Sequence, residues 1–440
     1  MVQLPMKSFR LRFLESTLRV MAIVILRRHK PIVIGITGSV GKSSTKEAVS
    51  LVLGSRFRIR SSPGNFNNEI GIPLTIVGSS GGGGSLLRWF LVPIRFLVTL
   101  FSPRRQYPEI LVLELGIDRI GDMQYLLEFL HPDIGVLTTI SNSHLEFFKT
   151  VSVVSREKGK LIQSLPKSGL AVLNADEPRV VKFRERTKAT VLSYGFSKEA
   201  DVRATHVSFF RGVAGAPIGS SFKLEYDGKS IPVRLPNIIA EHHILAALAA
   251  SALGIFFKMN VLDIAEALQK FQSLPGRMRL FEGVKRSLVV DDTYNASPKS
   301  LEAAMKTLGD LGGVRRIVAL GDMLELGDDS DMAHEAIASW IRLYGVHEVF
   351  FLGKRMARAT KALQTSGFSA EHMHTFPDPE SLGEQLAASL REGDIVLLKG
   401  SQGMRLEKAV EMVMAEPSRA RELLCRQSEE WKRIPFVVSE

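Results

Sequence analysis

The chain has 440 residues, 45% of them hydrophobic and 23% charged, with a formal net charge of +11. That length implies two or three domains, and the composition excludes a disordered, collagenous or polytopic membrane chain. The single cysteine, Cys425, excludes an internal disulfide and a cysteine-based zinc ribbon and suits a cytoplasmic location. Residues 1–113 carry 16 Lys and Arg against four acids, so the basic character is N-terminal. It points to an anionic partner: a phosphorylated substrate, nucleic acid or an anionic lipid surface.

In chain order, residues 7–30 read as a basic amphipathic helix, with Leu11, Leu14, Leu18, Met21 and Ile25 on one stripe and Arg12, Glu15 and Arg19 on another. Its longest uncharged run near the end, Val20 to Leu26, is far short of the ~20 apolar residues of a membrane span, and no cleavage site for a signal peptide follows. Pro31 to Thr37 reads as a buried strand and Lys42 to Leu53 as a helix, joined by a Gly/Ser turn. Residues 78–85 (GSSGGGGS) read as a flexible linker. Leu86 to Phe101 follows as an apolar helix that Pro93 would kink, with Arg88 and Arg95 on one stripe.

Strands then alternate with helices: 110–115, 134–139, a helix around 151–164, and 170–174. A β-rich stretch covers 190–235 and an Ala-rich helix about 240–253; beyond Leu274-Pro-Gly276 the alternation restarts with strands at 287–291, 316–320, 348–352 and 394–398. The pattern is α/β with a mainly parallel sheet, in two such domains. The expected boundaries are an N-terminal helix 1–30, a central domain 31–275 with the 78–105 insertion, a C-terminal domain 276–415, and a charged, helical tail 416–440.

Gly35-Ile-Thr-Gly-Ser-Val-Gly-Lys-Ser-Ser-Thr45 carries the strongest chemical signal. Between a strand and a helix, such a loop brings backbone N–H groups to phosphate oxygens: Gly38, Ser39, Gly41, Lys42, Ser43 and Ser44 are the expected ATP contacts, with Lys42 on the β/γ-phosphates and the Ser43 hydroxyl on Mg²⁺. The strict P-loop spacing needs glycine at 36, where this chain has Ile36.

That departure, together with Pro63–Leu74 (PGNFNNEIGIPL), Glu114-Leu-Gly116, Ser143–Glu146 (SHLE), Asn174-Ala-Asp176, Leu274–Arg277 (LPGR), Asp291–Ala296 (DDTYNA), Gly321–Gly327 (GDMLELG) and Lys399-Gly-Ser401, resembles the Mur ligase superfamily over about residues 31–415. Within it, GNFNNEIG, DDTYNA and GDMLELG point to the branch that joins D-alanyl-D-alanine to a UDP-N-acetylmuramoyl tripeptide. The resemblance implies a central P-loop ATPase domain followed by a Rossmann-like C-terminal domain. The implied activity is an ATP-dependent amide ligase acting through an acyl phosphate in peptidoglycan precursor synthesis, a cytoplasmic monomer with no nucleic-acid partner.

By the same resemblance, Glu114, His144 and Lys158 join Ser43 at the metal, with Lys158 as a carbamate and Lys160 as its near neighbour. Lys42, His144, Lys158 and Arg277 are the implied catalytic set. Arg277 would touch the γ-phosphate on domain closure, Asp292 the ribose, and His243 the base, at a place where the family usually has Asn. Asn65, Asn67, Asn68, Tyr294, Asn295, Lys399 and Ser401 are the implied substrate contacts. Gln402 stands where the family usually has Arg, which removes a charge near the dipeptide site.

The resemblance also implies a UDP-binding domain ahead of the P-loop strand, where this sequence has about 30 residues. The expectation is that helices 7–30 and 86–101 pack together in its place, as a diphosphate-binding surface, as a contact with the inner face of an anionic membrane, or as plain cover for the central domain. Two other functions stand beside the leading one: a ligase for another carboxylate and amine pair, and a non-catalytic nucleotide-binding scaffold at a membrane surface.

Overall fold

The computed structural model describes residues 9–64, 66–82, 86–141, 150–211 and 217–437. The β-branched runs become strands β1 (Ile32–Thr37), β2 (Ile59–Ser61), β3 (Ile110–Glu114), β4 (Ile134–Leu137), β5 (Leu170–Asn174), β6 (Thr190–Gly195), β7 (Val202–Arg211), β8 (Pro217–Tyr226) and β9 (Lys229–Pro236). They form one nine-stranded sheet in the order β2-β3-β1-β4-β5-β6-β7-β8-β9. All pairs from β2 to β7 are parallel, and β7, β8 and β9 continue as an antiparallel meander. That meander is the β-rich stretch expected at 190–235.

Helices α1 (Phe9–His29), α2 (Lys42–Gly54), α3 (Gly71–Val77), α4 (Leu86–Phe101), α5 (Asp122–Leu130), α6 (Val151–Gln163), α7 (Glu241–Phe256) and α8 (Val261–Leu268) cover both faces. Side chains alternate across β1: Ile34 and Ile36 enter a core with α2, α7 and α8, while Val33 enters the other core with α1, α3, α5 and α6. A parallel sheet buried on both faces needs such continuous apolar runs, which is why β1 and β3 read so plainly in sequence.

The second sheet has six strands, β10 (Arg279–Glu282), β11 (Leu288–Asp292), β12 (Arg316–Gly321), β13 (Glu348–Leu352), β14 (Met373–Phe376) and β15 (Ile395–Lys399), in the order β10-β11-β15-β12-β13-β14. Only β10 is antiparallel. In both sheets the strand order reverses beside a central strand, β1 in one and β15 in the other, which opens a crevice at the carboxyl ends of the strands.

Three local expectations need correction or refinement. Pro93 lies inside helix α4, where it removes one backbone hydrogen-bond donor without ending the element. In the described part of the 78–85 linker, Gly82 is buried, and a Cβ there would meet the Trp89 indole at 2.2 Å, while Ser80 is exposed. The tail does not stand apart, because Ala420, Leu423 and Leu424 enter the core of the C-terminal domain beside Val289 and Val410. Helices α1 and α4 do touch, through the cluster of Leu18, Leu74 and Val92 and the 2.9 Å contact of His29 Nε2 with Thr99 O. No helix among the described residues is long and apolar enough to cross a membrane.

Candidate active site

The first half of the site is the turn between β1 and α2. Gly41 holds φ 85°, and Gly38, at φ 151°, lies so close to β4's exit that a Cβ there would meet Thr138 Oγ1 at 1.9 Å. Both positions therefore require glycine. The loop is braced by the segment after β4: Ser39 N donates to Thr139 O at 2.8 Å, Val40 N to Thr139 Oγ1 at 2.9 Å, and Thr138 Oγ1 to Val40 O at 2.7 Å. Lys42 folds its ammonium back onto Gly38 O at 2.8 Å. Ser43 is half-buried at the start of α2 and Ser44 is buried beside it.

Beneath this loop, Glu114 ends β3 next to β1. It is buried; its Oε1 accepts from Asn67 Nδ2 at 3.2 Å, and its Oε2 has no hydrogen-bond partner among the described residues. Lys158, on α6, is buried, and desolvation together with the Lys42 charge pushes its ammonium pKa well below the usual lysine range, against the pull of Asp118 and Glu114. Burial also lowers Lys42, opposed by Glu114 and Asp118 and reinforced by Arg277. The two α6 lysines have different surroundings: Lys160 donates to Glu157 Oε1 at 2.6 Å, whereas Lys158 is buried within reach of the Lys42, Asp118 and Glu114 charges. His144 and Asn65 lie outside the described residues.

The orphaned Glu114 oxygen and the Ser43 hydroxyl are hard oxygen donors, the chemistry that Mg²⁺ selects. No group of three or more His, Cys, Asp or Glu able to hold a metal occurs among the described residues.

The other half of the site is the hinge. Gly276 takes φ 72°, and a Cβ there would meet Tyr294 N at 2.9 Å and Cys425 Sγ at 3.0 Å. Gly276 N donates to Asp291 Oδ2 at 3.0 Å, Tyr294 N to Gly276 O at 2.9 Å, and Met278 N to Asp292 Oδ1 at 3.1 Å. This stitching carries Arg277 over the Tyr294 ring, 4.1 Å from its centroid, and within the electrostatic reach of Lys42.

Several expected contact residues are already engaged here. Asp292 and Lys399 are register partners on β11 and β15, and Lys399 Nζ donates to Asp292 Oδ2 at 2.6 Å and to Asn295 O at 2.8 Å. Ser401 Oγ accepts from Leu324 N at 2.8 Å and so shapes the GDMLELG loop. Asn68 Oδ1 accepts from Gly71 N at 2.9 Å at the start of α3, while Asn67 alone of that pair reaches Glu114. Tyr294 is half-buried and Asn295 exposed at the crevice. His243 is fully buried against His242 and Phe271, with both ring nitrogens unpartnered among the described residues. Burial lowers the His242 pKa to about 4, reinforced by Lys399 and Arg277, so His242 is the imidazole that faces the cations.

Two groups escaped the sequence reading. Asp118 acts on both Lys42 and Lys158, and it lies four positions beyond Glu114, just past the Glu-Leu-Gly motif. Arg426, in the tail, donates to Thr293 O and Tyr294 O and pairs with the buried Glu407 at 2.9 Å, so the tail positions the DDTYNA segment. No local pattern marks Arg426; only the chain's return to the hinge does.

Comparison with known proteins gives a consistent result. The family model described as the Mur ligase middle domain matches residues 91–254, and that described as the Mur ligase, glutamate ligase domain matches 276–402. The chain is 28% identical over 386 residues to the UDP-N-acetylmuramoyl-tripeptide–D-alanyl-D-alanine ligase of Bacillus subtilis, covering 88% of this chain and 76% of that one. It is 29% identical over 413 residues to the Escherichia coli enzyme of the same name, covering 93% and 81%. Among solved structures, MurF ligase from Thermotoga maritima in complex with ADP superposes with a TM-score of 0.74 at 25% identity, covering 93% of this chain and 84% of that one. A folylpolyglutamate synthase from Mycobacterium tuberculosis, at 17% identity and a TM-score of 0.63 over 96% and 98% of the two chains, shares the fold alone.

Proposed function

The chain belongs to the Mur ligase family, and from that premise we propose that it joins D-alanyl-D-alanine to a UDP-N-acetylmuramoyl tripeptide at the expense of ATP, as a cytoplasmic monomer in peptidoglycan precursor synthesis. The carrying observation is the convergence of Lys42, Lys158, Glu114 and Asp118 from the middle domain with Arg277 from the hinge, in one field of charge.

In the reaction, a carboxylate oxygen of the tripeptide attacks the γ-phosphorus and ADP leaves, giving an acyl phosphate. The dipeptide amine then attacks the acyl carbon, and inorganic phosphate leaves with the bond it held. The first step brings two anions together, so its barrier is dominated by repulsion that fixed cations offset. Lys42, held by the P-loop, meets the β/γ-phosphates, and Arg277 adds a second cation from across the hinge. Gly38, Ser39, Gly41 and Ser44 supply the phosphate cradle and first turn, and Asp292 would flank the ribose; His243, which the resemblance puts at the base, is fully buried against His242 and Phe271 and would act there only indirectly.

Ser43 and Glu114 would hold Mg²⁺, together with His144 and a carbamate formed when the Lys158 amine adds CO₂ and loses a proton. When bound, the cation draws charge from the phosphoryl oxygens. Burial and the Lys42 charge disfavour a cationic Lys158, so its amine is held toward the neutral form that can add CO₂. Asn67 orients Glu114. Asn68, Tyr294, Asn295, Lys399 and Ser401 would surround or shape the places for the acceptor and the dipeptide, with Asn65 assigned there by the resemblance alone.

Phosphate release from ATP, measured with UDP-muramoyl tripeptide and a panel of dipeptides and single amino acids, tests this reading. Stimulation by D-alanyl-D-alanine is expected. No stimulation by any D-alanine-containing dipeptide overturns it in favour of another carboxylate and amine pair, the reading that the exposed Gln402 favours.

A further inference from the structure

Helix α4 presents its apolar stripe to solvent. Phe90, Leu91, Ile94, Leu97, Val98 and Phe101 recur at helical spacing on one face, each between 50% and 78% exposed. The opposite face holds the helix to the protein. Val92 is buried with Leu18 and Leu74, Thr99 Oγ1 donates to Val77 O at 2.9 Å, and Phe96 and Leu100 pack into the core that contains Ile25. The exposed stripe is therefore additional to what folding requires.

Charge selects its partner. Helix α1 lies alongside α4 in the same direction, since Leu18 clusters with Val92 and His29 bonds to Thr99. This brings exposed Arg27, Arg28 and Lys30 to the end of α4 where Arg104 and Arg105 emerge, and Arg104 Nε donates to His29 O at 2.7 Å. Exposed Arg88 and Arg95 flank the stripe itself. No acidic residue occurs from Ser16 to Lys46 or from Ile70 to Pro108. Of the acids near these helices, Glu15 is buried, lining a cavity with Glu69 and Asp122, while Glu128 and Glu109 pair with Arg19 and Arg58. At 16 residues, α4 is too short to span a bilayer, yet a long apolar stripe rimmed by cations matches a helix lying in the interface of an anionic membrane.

We propose that the chain docks peripherally on anionic lipid through α4, with the Phe90–Phe101 stripe entering the acyl boundary and Arg27, Arg28, Lys30, Arg104 and Arg105 meeting headgroup phosphates. The inference goes beyond the ligase reading and does not depend on it. Docking also bears on the site's orientation. Glu15 of α1 lines a cavity of about 170 Å³ with Asn68, Glu69, Gly116, Asp122, Tyr125 and Leu126, so the helix beside the docking face also walls the space next to Glu114's strand end.

Flotation of the full chain with vesicles tests it. Vesicles of phosphatidylcholine containing one quarter phosphatidylglycerol should carry the protein, pure phosphatidylcholine vesicles about tenfold less of it, and high salt should weaken the binding. Ile94→Glu with Leu97→Glu should reduce flotation about tenfold or more while leaving the melting temperature and phosphate release unchanged. Arg104→Glu with Arg105→Glu should weaken flotation on the anionic vesicles only. Absence of flotation, equal flotation on both vesicle types, or a glutamate variant that only converts a dimer to a monomer would each overturn the proposal; the last would assign the stripe to a second copy of the chain.

Discussion

The two halves of the crevice are built on opposite principles. Around the P-loop, charged groups are buried with few partners: Glu114 Oε2 has none among the described residues, Lys158 is desolvated beside the Lys42 charge, and Lys42 is parked on its own loop. Around the hinge, nearly every group is engaged: Asp291 holds Gly276 and Thr293, Asp292 holds Met278 and Lys399, and Arg426 clasps Glu407 and the Tyr294 carbonyl. The contrast separates a half whose charges are buried with few partners among the described residues, as the proposed phosphate and metal site requires, from a frame that holds Arg277 and Tyr294 in place. Mutations should accordingly cost activity in one and stability in the other.

The largest effect should come from the frame. Lys399→Met leaves the buried Asp292 carboxylate without its cation and should cost about 3–5 kcal/mol of unfolding free energy in urea, part of it restored by adding Asp292→Asn. Equal stability in the single variant would break the contrast. In the ligand half, Lys42→Ala should lower phosphate release by about 10²–10³-fold with the urea midpoint nearly unmoved, and surviving turnover would remove the P-loop assignment.

A pH effect separates the halves further. His242 has its folded pKa lowered to about 4 from 6.5, so the folded chain binds fewer protons than the unfolded chain between those values. Stability is then full above about pH 6.5 and lost as the pH falls toward 4, by up to about 3 kcal/mol. Urea melts at descending pH should show the loss, and His242→Gln should flatten it; an unchanged slope would assign the titration elsewhere. The smallest change is expected at the tail: Arg426→Met should cost about 1–3 kcal/mol and raise the KM for ATP or dipeptide more than it lowers kcat, since it loosens Tyr294 without touching the phosphates.

Much of this was legible beforehand for a definite reason. Buried parallel strands need unbroken apolar runs, and phosphate loops need glycine at set places, so β1, β3, the α/β alternation and Gly41-Lys42-Ser43 announce themselves locally. The antiparallel β10 and the short β14 did not, because four residues with mixed burial carry little periodicity. Among site residues, Lys158 and Lys160 stood two apart on one predicted helix, and the resemblance, through the spacing from Asn174, pointed to Lys158. What the sequence could not show is how their neighbours differ: Glu157 pairs with Lys160, while Lys158 is buried beside Lys42.

The amino-acid order alone determined the class of fold, the strand, glycine loop and helix unit at 32–54, and the basic character of the first 113 residues, because backbone sterics, strand burial and charge count act over short stretches. Only the tertiary structure decided that Asp292 and Lys399 neutralise each other across adjacent strands, that Arg426 returns to the hinge, and that α4 turns its apolar stripe outward. Those outcomes depend on which distant segments share a surface, and pairwise burial is a property of the assembled chain rather than of any segment in it.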